Sequence, residues 1–117
     1  MNLPSIVGEK SEKFALRIIE LYKYLSEEKH EYIMSKQVMR SGTSVGANLA
    51  ESEYAQSNAD FVSKLSVALK EANETSYWLR LLKHSGYVSE EQIKFLESEC
   101  LEIIKMLIAS IKKCKLK

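Results

Sequence analysis

The residues of this chain that could do chemistry are its two histidines, its two cysteines and several pairs of acidic residues. His30 and His84 have no cysteine or carboxylate at the spacing of metal ligands, so neither predicts a metal site. Cys100 and Cys114 are expected on one helix about 21 Å apart, too far for a disulfide, and free cysteines are most often small core residues. The sequence therefore predicts no metal, no disulfide and no cofactor.

The acidic pairs and the glycines do not form a recognisable active site. Glu51 and Glu53 are two residues apart on a predicted helix, so their side chains diverge. Glu71 and Glu74 share a side but have no histidine, lysine or nucleophile in register, and we interpret both pairs as surface charge. The segment around Gly42 is not a phosphate-binding loop, because no strand precedes it and no Gly-Lys-Ser/Thr follows. We therefore expect a protein that is not an enzyme. The alternative is a small enzyme whose site the sequence does not reveal.

Length and composition favour a single helical domain. The chain has 117 residues, 45% of them hydrophobic, with only four glycines and one proline. A chain of this length can bury a core without metals or disulfides, and the scarcity of helix breakers favours helices. The net charge of +1 gives no overall attraction for nucleic acid or an acidic membrane, so such binding would need a local patch. We expect one domain over residues 1–117.

The start of the chain and its hydropathy indicate a cytoplasmic protein. The first residues, MNLPSIVGEK, lack the apolar core and the cleavage site of a secretory signal. No later apolar run approaches the length of a membrane span, so no membrane partner is expected.

Four segments have the periodicity of amphipathic helices. They are predicted from Ser11 to about Glu31, from Ser35 to about Ala55, from Ser57 to about His84, and from Ser89 to the end of the chain. Their predicted core faces are Phe14, Ile18, Leu21 and Leu25; Val38, Val45, Leu49 and Ser52; Phe61, Leu65, Leu69, Ala72, Ser76 and Leu79; and Ile93, Leu96, Cys100, Ile103, Leu107, Ile111 and Cys114. Brief connections favour antiparallel neighbours. The predicted fold is all-α, an antiparallel up-down-up-down four-helix bundle.

Local signals mark the helix ends and one close contact. Ser57 with Asp60, and Ser89 with Gln92, have the spacing of N-terminal capping boxes. Gly86 stands where a left-handed glycine would end the third helix. The second helix contains Gly42 and Gly46, each costing about 1 kcal/mol relative to alanine. We therefore expect another backbone or side chain to approach that helix closely.

The central stretch RSGTSVGANLAESEYAQSNADFVSKLSVALKEANETSYWLRLL and the first-helix segment FALRIIELYKYL carry a family resemblance. The chain resembles the four-helix-bundle proteins encoded in intervening sequences of bacterial large-subunit ribosomal RNA genes, also labelled S23 ribosomal proteins. The resemblance implies a cytoplasmic bundle that assembles as a ring-like homopentamer. A similar fold occurs in the accessory protein of diversity-generating retroelements, which partners a reverse transcriptase and nucleic acid. A position within a ribosomal RNA gene does not make the product a ribosome component, and the resemblance implies no settled activity.

The resemblance also points to individual positions on the second helix. Family-typical residues stand at Arg40, Ser41, Ser44, Gly46, Asn48 and Glu51. Arg40 and Glu51 are about 16 Å apart along the helix axis, too far to contact each other. We expect these positions mainly to hold the assembly, with Arg40 and Glu51 each contacting another helix or subunit.

A nucleic-acid surface is the first of two predicted interaction surfaces. Its candidate residues are Lys36, Arg40, Lys64, Lys112, Lys113, Lys115 and Lys117, for RNA or DNA. An oligomer would repeat such a weak patch and gain affinity by multivalency. The alternative is that Arg40 and Lys64 pair with Glu51 or Asp60, and that the last lysines complement the helix dipole.

A subunit interface is the second predicted surface. On the third helix Val67 and Trp78 point away from the core direction set by Leu65, with Tyr77 and Leu81 beside them. A monomer would expose this second apolar stripe, and such stripes usually mark interfaces. We expect a homo-oligomer with Trp78 at or beside the contact. The alternative is that a terminal segment or a lysine stem covers Trp78 within one copy.

Overall fold

Four helices make up nearly the whole of the described chain. The computed structural model describes residues 3–116, with α1 at Leu3–Glu27, α2 at Met34–Ser52, α3 at Asn58–His84 and α4 at Glu90–Lys115. α1 packs on α2 and α4, and α3 packs on the same two helices, so each helix has two neighbours around a shared core. The bundle measures 47 × 20 × 19 Å. The predicted all-α four-helix bundle is confirmed.

The two ends of the bundle differ in what they contain. The upper end holds the α1–α2 connection, residues 28–33, and the α3–α4 connection, residues 85–89. The lower end holds the α2–α3 turn, residues 53–57, together with the start of α1 and the end of α4. A hydrogen bond from Asn58 Nδ2 to the Cys114 carbonyl, 3.4 Å long, joins the start of α3 to the end of α4. Within residues 3–116, no helix combines the length and the apolar character needed to cross a membrane.

The first helix begins eight residues earlier than predicted. Val7 is buried in the core and lies two turns before Phe14, so the apolar seam continues beyond Ser11 toward the N-terminus. Pro4 lies in the first turn, where its missing N–H removes no hydrogen bond. The seam and the helix-compatible proline together explain the early start.

Glu31 caps α2 and does not extend α1, contrary to the prediction. Its buried carboxylate accepts hydrogen bonds from the backbone N–H groups of Ile33, Met34 and Ser35, at 3.2, 3.0 and 2.7 Å. The chain turns just before it, at His30, whose φ is 54°. The carboxylate therefore satisfies N–H groups that the first turn of a helix leaves without partners.

The predicted signals at the other helix ends are confirmed, with one change. Ser89 and Gln92 form a reciprocal capping box, and Gly86 has a left-handed φ of 86°. Ser57 accepts from the Asp60 N–H at 3.0 Å, but the Asp60 carboxylate bonds the N–H of Gln56 and not that of Ser57. The side-chain hydrogen bond of Asp60 thus reaches one residue further back in the α2–α3 turn than it would in a capping box.

The core follows the predicted faces closely. Among the predicted core residues, only Leu21, Leu69, Ser76 and Ile111 are half-buried and the others are buried. The prediction missed further buried residues, namely Val7, Ala68, Thr75, Leu82 and Val88. Both cysteines are free and buried, as expected.

Candidate interaction surfaces

The chemistry-bearing side chains lie apart from one another. Across residues 3–116, no three His, Cys, Asp or Glu side chains are placed to hold a metal ion. His30 and His84 are exposed at the upper end. Burial, with Glu97 and Glu99 nearby, raises the pKa of the Cys100 thiol to about 12. The thiol is therefore protonated at neutral pH and is a poor nucleophile.

Arg40 joins α2 to α3 within one copy. Its Nη1 lies 3.2 Å from Glu71 Oε1, and its Nη2 binds Glu74 Oε2. The Trp78 indole N–H donates to the same Glu74 oxygen at 3.1 Å. Glu71 and Glu74 are half-buried, and both form ion pairs with an arginine on another helix. Their interpretation as ordinary surface charge was therefore wrong.

Lys64 is also paired within one copy. Its Nζ lies 3.4 Å from Glu51 Oε1, which is the pairing given above as the alternative to nucleic-acid binding. Arg40 and Glu51 thus both contact α3 at different heights, and neither contacts the other. These ion pairs make both cations less available to phosphate groups.

Two family-typical positions lie at helix–helix contacts inside the bundle. Ser41 is buried, and its hydroxyl lies 2.9 Å from that of Thr75 on α3. Gly46 faces the backbone of Ser11 on α1, where an added Cβ would lie 3.7 Å from the nearest atoms. Ser41 and Gly46 thus face α3 and α1, respectively.

Two further family-typical positions bond their own helix. The Ser44 hydroxyl donates to the Arg40 carbonyl at 2.6 Å, and Asn48 Nδ2 donates to the Ser44 carbonyl at 2.9 Å. Both side chains are half-buried. A role of the motif in subunit contacts stays a prediction.

The predicted lysine surface is divided between the two ends of the bundle. Lys36 is exposed at the start of α2, at the upper end. The exposed residues Lys112, Lys113 and Lys115 lie together at the end of α4, at the lower end. Lys117 lies outside the described residues. Because Arg40 and Lys64 are held in ion pairs between α2 and α3, the three lysines on α4 are the part of the predicted surface that lies together.

The predicted interface on α3 is partly exposed in one copy. Val67 and Tyr77 are exposed, whereas Trp78 and Leu81 are half-buried. The Trp78 ring packs on the core and meets the Tyr77 ring edge-on, with centroids 5.3 Å apart. Glu74 and Tyr77 hold Trp78, so neither a terminal segment nor a lysine stem is needed to cover it.

A second apolar stripe, on α4, was missed by the sequence analysis. Leu101 and Ile108 are exposed, and Ile104 lies half-buried between them on the same side of the helix. Glu97, one turn before Leu101, pairs with Lys83 of α3 at 2.9 Å, so this stripe borders α3. Its spacing of three and four residues was visible in the sequence, but it ran beside the stronger core seam.

A groove between α1 and α2 has a volume of about 510 Å³. Small residues such as Gly8 and Ala47 line it, together with Glu9, Glu12 and Glu53. None of its lining residues is a histidine, a cysteine or a lysine. The groove therefore supplies carboxylates without a histidine, cysteine or lysine beside them.

The comparisons with known proteins agree with this architecture. A family model described as 23S rRNA-intervening sequence protein matches residues 5–109. A crystal structure of a protein with unknown function from the S23 ribosomal protein family of Bacteroides thetaiotaomicron is 53% identical, with a TM-score of 0.92. The similarity covers 94% of this chain and 98% of that one. No curated protein matches the chain. Because the family model spans most of the sequence, the chain belongs to the 23S rRNA-intervening sequence protein family.

Proposed function

We propose that the chain is a non-enzymatic assembly protein that binds further copies of itself and serves as a scaffold or adaptor. The observation that carries the proposal is the apolar surface of a single copy, with Val67 and Tyr77 exposed on α3 and Leu101 and Ile108 exposed on α4. Exposed apolar stripes of this kind usually mark protein interfaces. The protonated Cys100 thiol and the scattered acidic pairs give no support to a reaction.

The positions of the two stripes favour a head-to-tail contact. The α3 stripe lies on the side of Glu74, toward α2, whereas the α4 stripe borders α3. When the first stripe of one copy packs on the second stripe of the next, both are buried and the contact repeats until a ring closes. The number of five subunits in this proposal rests on the family resemblance.

Light scattering on the purified protein tests the assembly. We expect a mass five times the 13.4 kDa of one chain. Tyr77→Lys and Leu101→Lys should each shift the protein to lower mass, because a charge would be buried at the contact. Leu16→Lys is the matched control, since Leu16 is exposed on α1, away from both stripes, and should leave the mass unchanged.

One result would refute this proposal, and another would narrow the contact. A monodisperse monomer for the unmodified chain would refute self-assembly. An oligomer that Trp78→Ala leaves unchanged would keep the assembly but remove Trp78 from the contact.

Nucleic-acid binding is a second candidate function, favoured by the lysine cluster on α4. Lys112, Lys113 and Lys115 are exposed, and none of the ion pairs between described residues involves them. Cations that neutralise phosphates release counterions, which makes binding steeply dependent on salt. An oligomer would present one such cluster per subunit and raise the affinity.

A salt titration of RNA and DNA binding checks this candidate. Changing all three lysines to glutamine should weaken binding and reduce the slope of log affinity against log salt by about 2 to 3, since each phosphate contact contributes roughly 0.7 to 0.9. Lys36→Gln, at the other end of the bundle, is the control and should change neither quantity. The absence of saturable binding at low salt would exclude the candidate.

A further inference from the structure

We infer that the lower end of the bundle takes up a base of a single-stranded nucleic acid in a cleft beside Tyr54, while the lysines of α4 bind the phosphates. This inference rests on the proposed nucleic-acid binding. It adds that the nucleic acid is single-stranded, and it names the residues that contact the bases.

Tyr54 is an aromatic side chain held out into solvent by an ordered turn. It lies in the α2–α3 connection and is 84% exposed. The backbone of the turn is fixed by hydrogen bonds from Tyr54 N–H to the Glu51 carbonyl, at 3.0 Å, and from Ala55 N–H to the Ser52 carbonyl, at 3.2 Å. Solvent-facing aromatic rings are the platforms on which bases of single strands stack.

A cleft of about 280 Å³ opens at the same turn of the chain. Its lining includes Glu53 and Ala55, the two residues that flank Tyr54 in the chain, and reaches Phe61 on α3. Pockets for drug-sized ligands begin at about 300 Å³, so a cleft of this size has room for a single nucleobase. A nucleobase that enters it would lie at the turn that carries Tyr54.

The polar lining of the cleft suits a base edge and not a phosphate. Glu53 is exposed there, and its carboxylate repels phosphate groups but accepts hydrogen bonds from base amino groups. The Gln56 amide, also exposed in the lining, can both donate and accept. The phosphates must therefore be bound outside the cleft.

The lysines of α4 are placed to bind the phosphates. Asn58 lines the cleft and donates its side-chain N–H to the Cys114 carbonyl at 3.4 Å. Lys113 and Lys115 flank Cys114 in the chain. Tyr54 is four residues before Asn58, which limits the distance between their Cα atoms to about 14 Å. The ring and the lysines thus lie within the reach of a strand a few nucleotides long.

This division of contacts predicts a preference for single strands. The lysines alone would bind duplex and single strand through the same phosphates. A duplex keeps its bases stacked inside, so it presents no free base face to Tyr54 unless a base is flipped out at a cost in energy. The stacking contact therefore adds affinity for single strands only.

Fluorescence anisotropy with a short labelled RNA, alone and annealed to its complement, tests the inference. Tyr54→Ala should weaken single-strand binding about tenfold, the size expected for one lost base–aromatic stack, and leave duplex binding unchanged. Tyr54→Phe should retain the affinity, because the ring stays. Tyr32→Ala is the matched control, since Tyr32 is exposed at the upper end.

Each other outcome overturns the inference in a distinguishable way. If the lysine variants lose RNA while Tyr54→Ala binds normally, nucleic-acid binding stands and the base cleft is wrong. If the protein binds neither the single-stranded RNA nor the duplex, both the nucleic-acid binding and the base cleft are wrong. Exposed Leu116 near the same lysines would also suit an anionic membrane surface. Capture by phosphatidylglycerol vesicles that RNA does not displace would assign the surface to lipid.

Discussion

Replacing Arg17 by methionine is expected to lower the free energy of unfolding by about 3 kcal/mol, although half of the arginine is in solvent. Its Nη1 lies 2.6 Å from Glu99 Oε2. Glu99 is only 6% exposed, and its other oxygen has no hydrogen-bond partner among the described residues. Without Arg17 the carboxylate would be a buried charge with no partner, which destabilises by about 3 to 5 kcal/mol. Solvent around Arg17 screens the pair, so we expect the lower value.

Methionine isolates the charge from the packing of the arginine. The Arg17 guanidinium lies 4.8 Å from the centre of the Phe95 ring, so its side chain also covers an exposed aromatic on α4. An unbranched apolar side chain keeps much of that contact. The loss in Arg17→Met should therefore report mainly the unpaired Glu99 carboxylate.

A double-mutant cycle decides between charge and packing. The variant that combines Arg17→Met with Glu99→Leu should be more stable than Arg17→Met alone, because no buried charge is left unpaired. Lys10→Met is the matched control at the same helix pair, since Lys10 binds the exposed Glu102 at 3.3 Å and should change stability by about 0.5 kcal/mol or less. Urea unfolding followed by circular dichroism measures these values at one protein concentration. Equal losses in Arg17→Met and Lys10→Met would contradict the prediction.

The helices and most of their ends could be predicted because their causes are local. Ser89 meets Gln92 three residues on, and Gly86 supplies a left-handed residue where α3 ends. Both signals lie within a few residues of the structure they determine. Glu31 looked like the end of the first helix because its role depends on the chain reversing at His30. The conformation of the turn at His30 therefore determines that the Glu31 carboxylate caps α2 and does not extend α1.

Most contacts between helices could not be predicted, because periodicity gives the face of a helix on which a residue lies but not the residue opposite it. The pairing of Lys64 with Glu51 was one of the alternatives. Arg40 and Glu74 are 34 positions apart in the sequence, and only the packing of α2 on α3 brings them together. The same packing removes Arg40 and Lys64 from the proposed nucleic-acid surface. Tyr54 was missed for another reason, since one aromatic in a turn belongs to no periodic pattern.

Two glycines on one helix are expected to respond in opposite directions to the same substitution. An added Cβ at Gly42 would lie 2.9 Å from both Cγ atoms of Ile18, closer than real Cβ contacts occur. Ile18 is buried in the core, and its branched Cβ restricts it to few rotamers. At Gly46 the nearest atoms would be 3.7 Å away, an ordinary contact. The close approach expected at both glycines is therefore tight only at Gly42.

Gly42→Ala should accordingly destabilise the protein by up to about 2 kcal/mol, because overpacking costs about 1 to 3 kcal/mol and the gain in helix propensity returns about 1. Gly46→Ala, its matched control, should stabilise by about 0.5 to 1 kcal/mol, since the propensity gain is then unopposed. Urea unfolding of both variants measures the difference. In an Ile18→Ala background the loss at Gly42 should disappear, because the clashing Cγ atoms are absent. If Gly42→Ala stabilised the unmodified protein as much as Gly46→Ala, Ile18 would have room to move and the contact would not be the reason for this glycine.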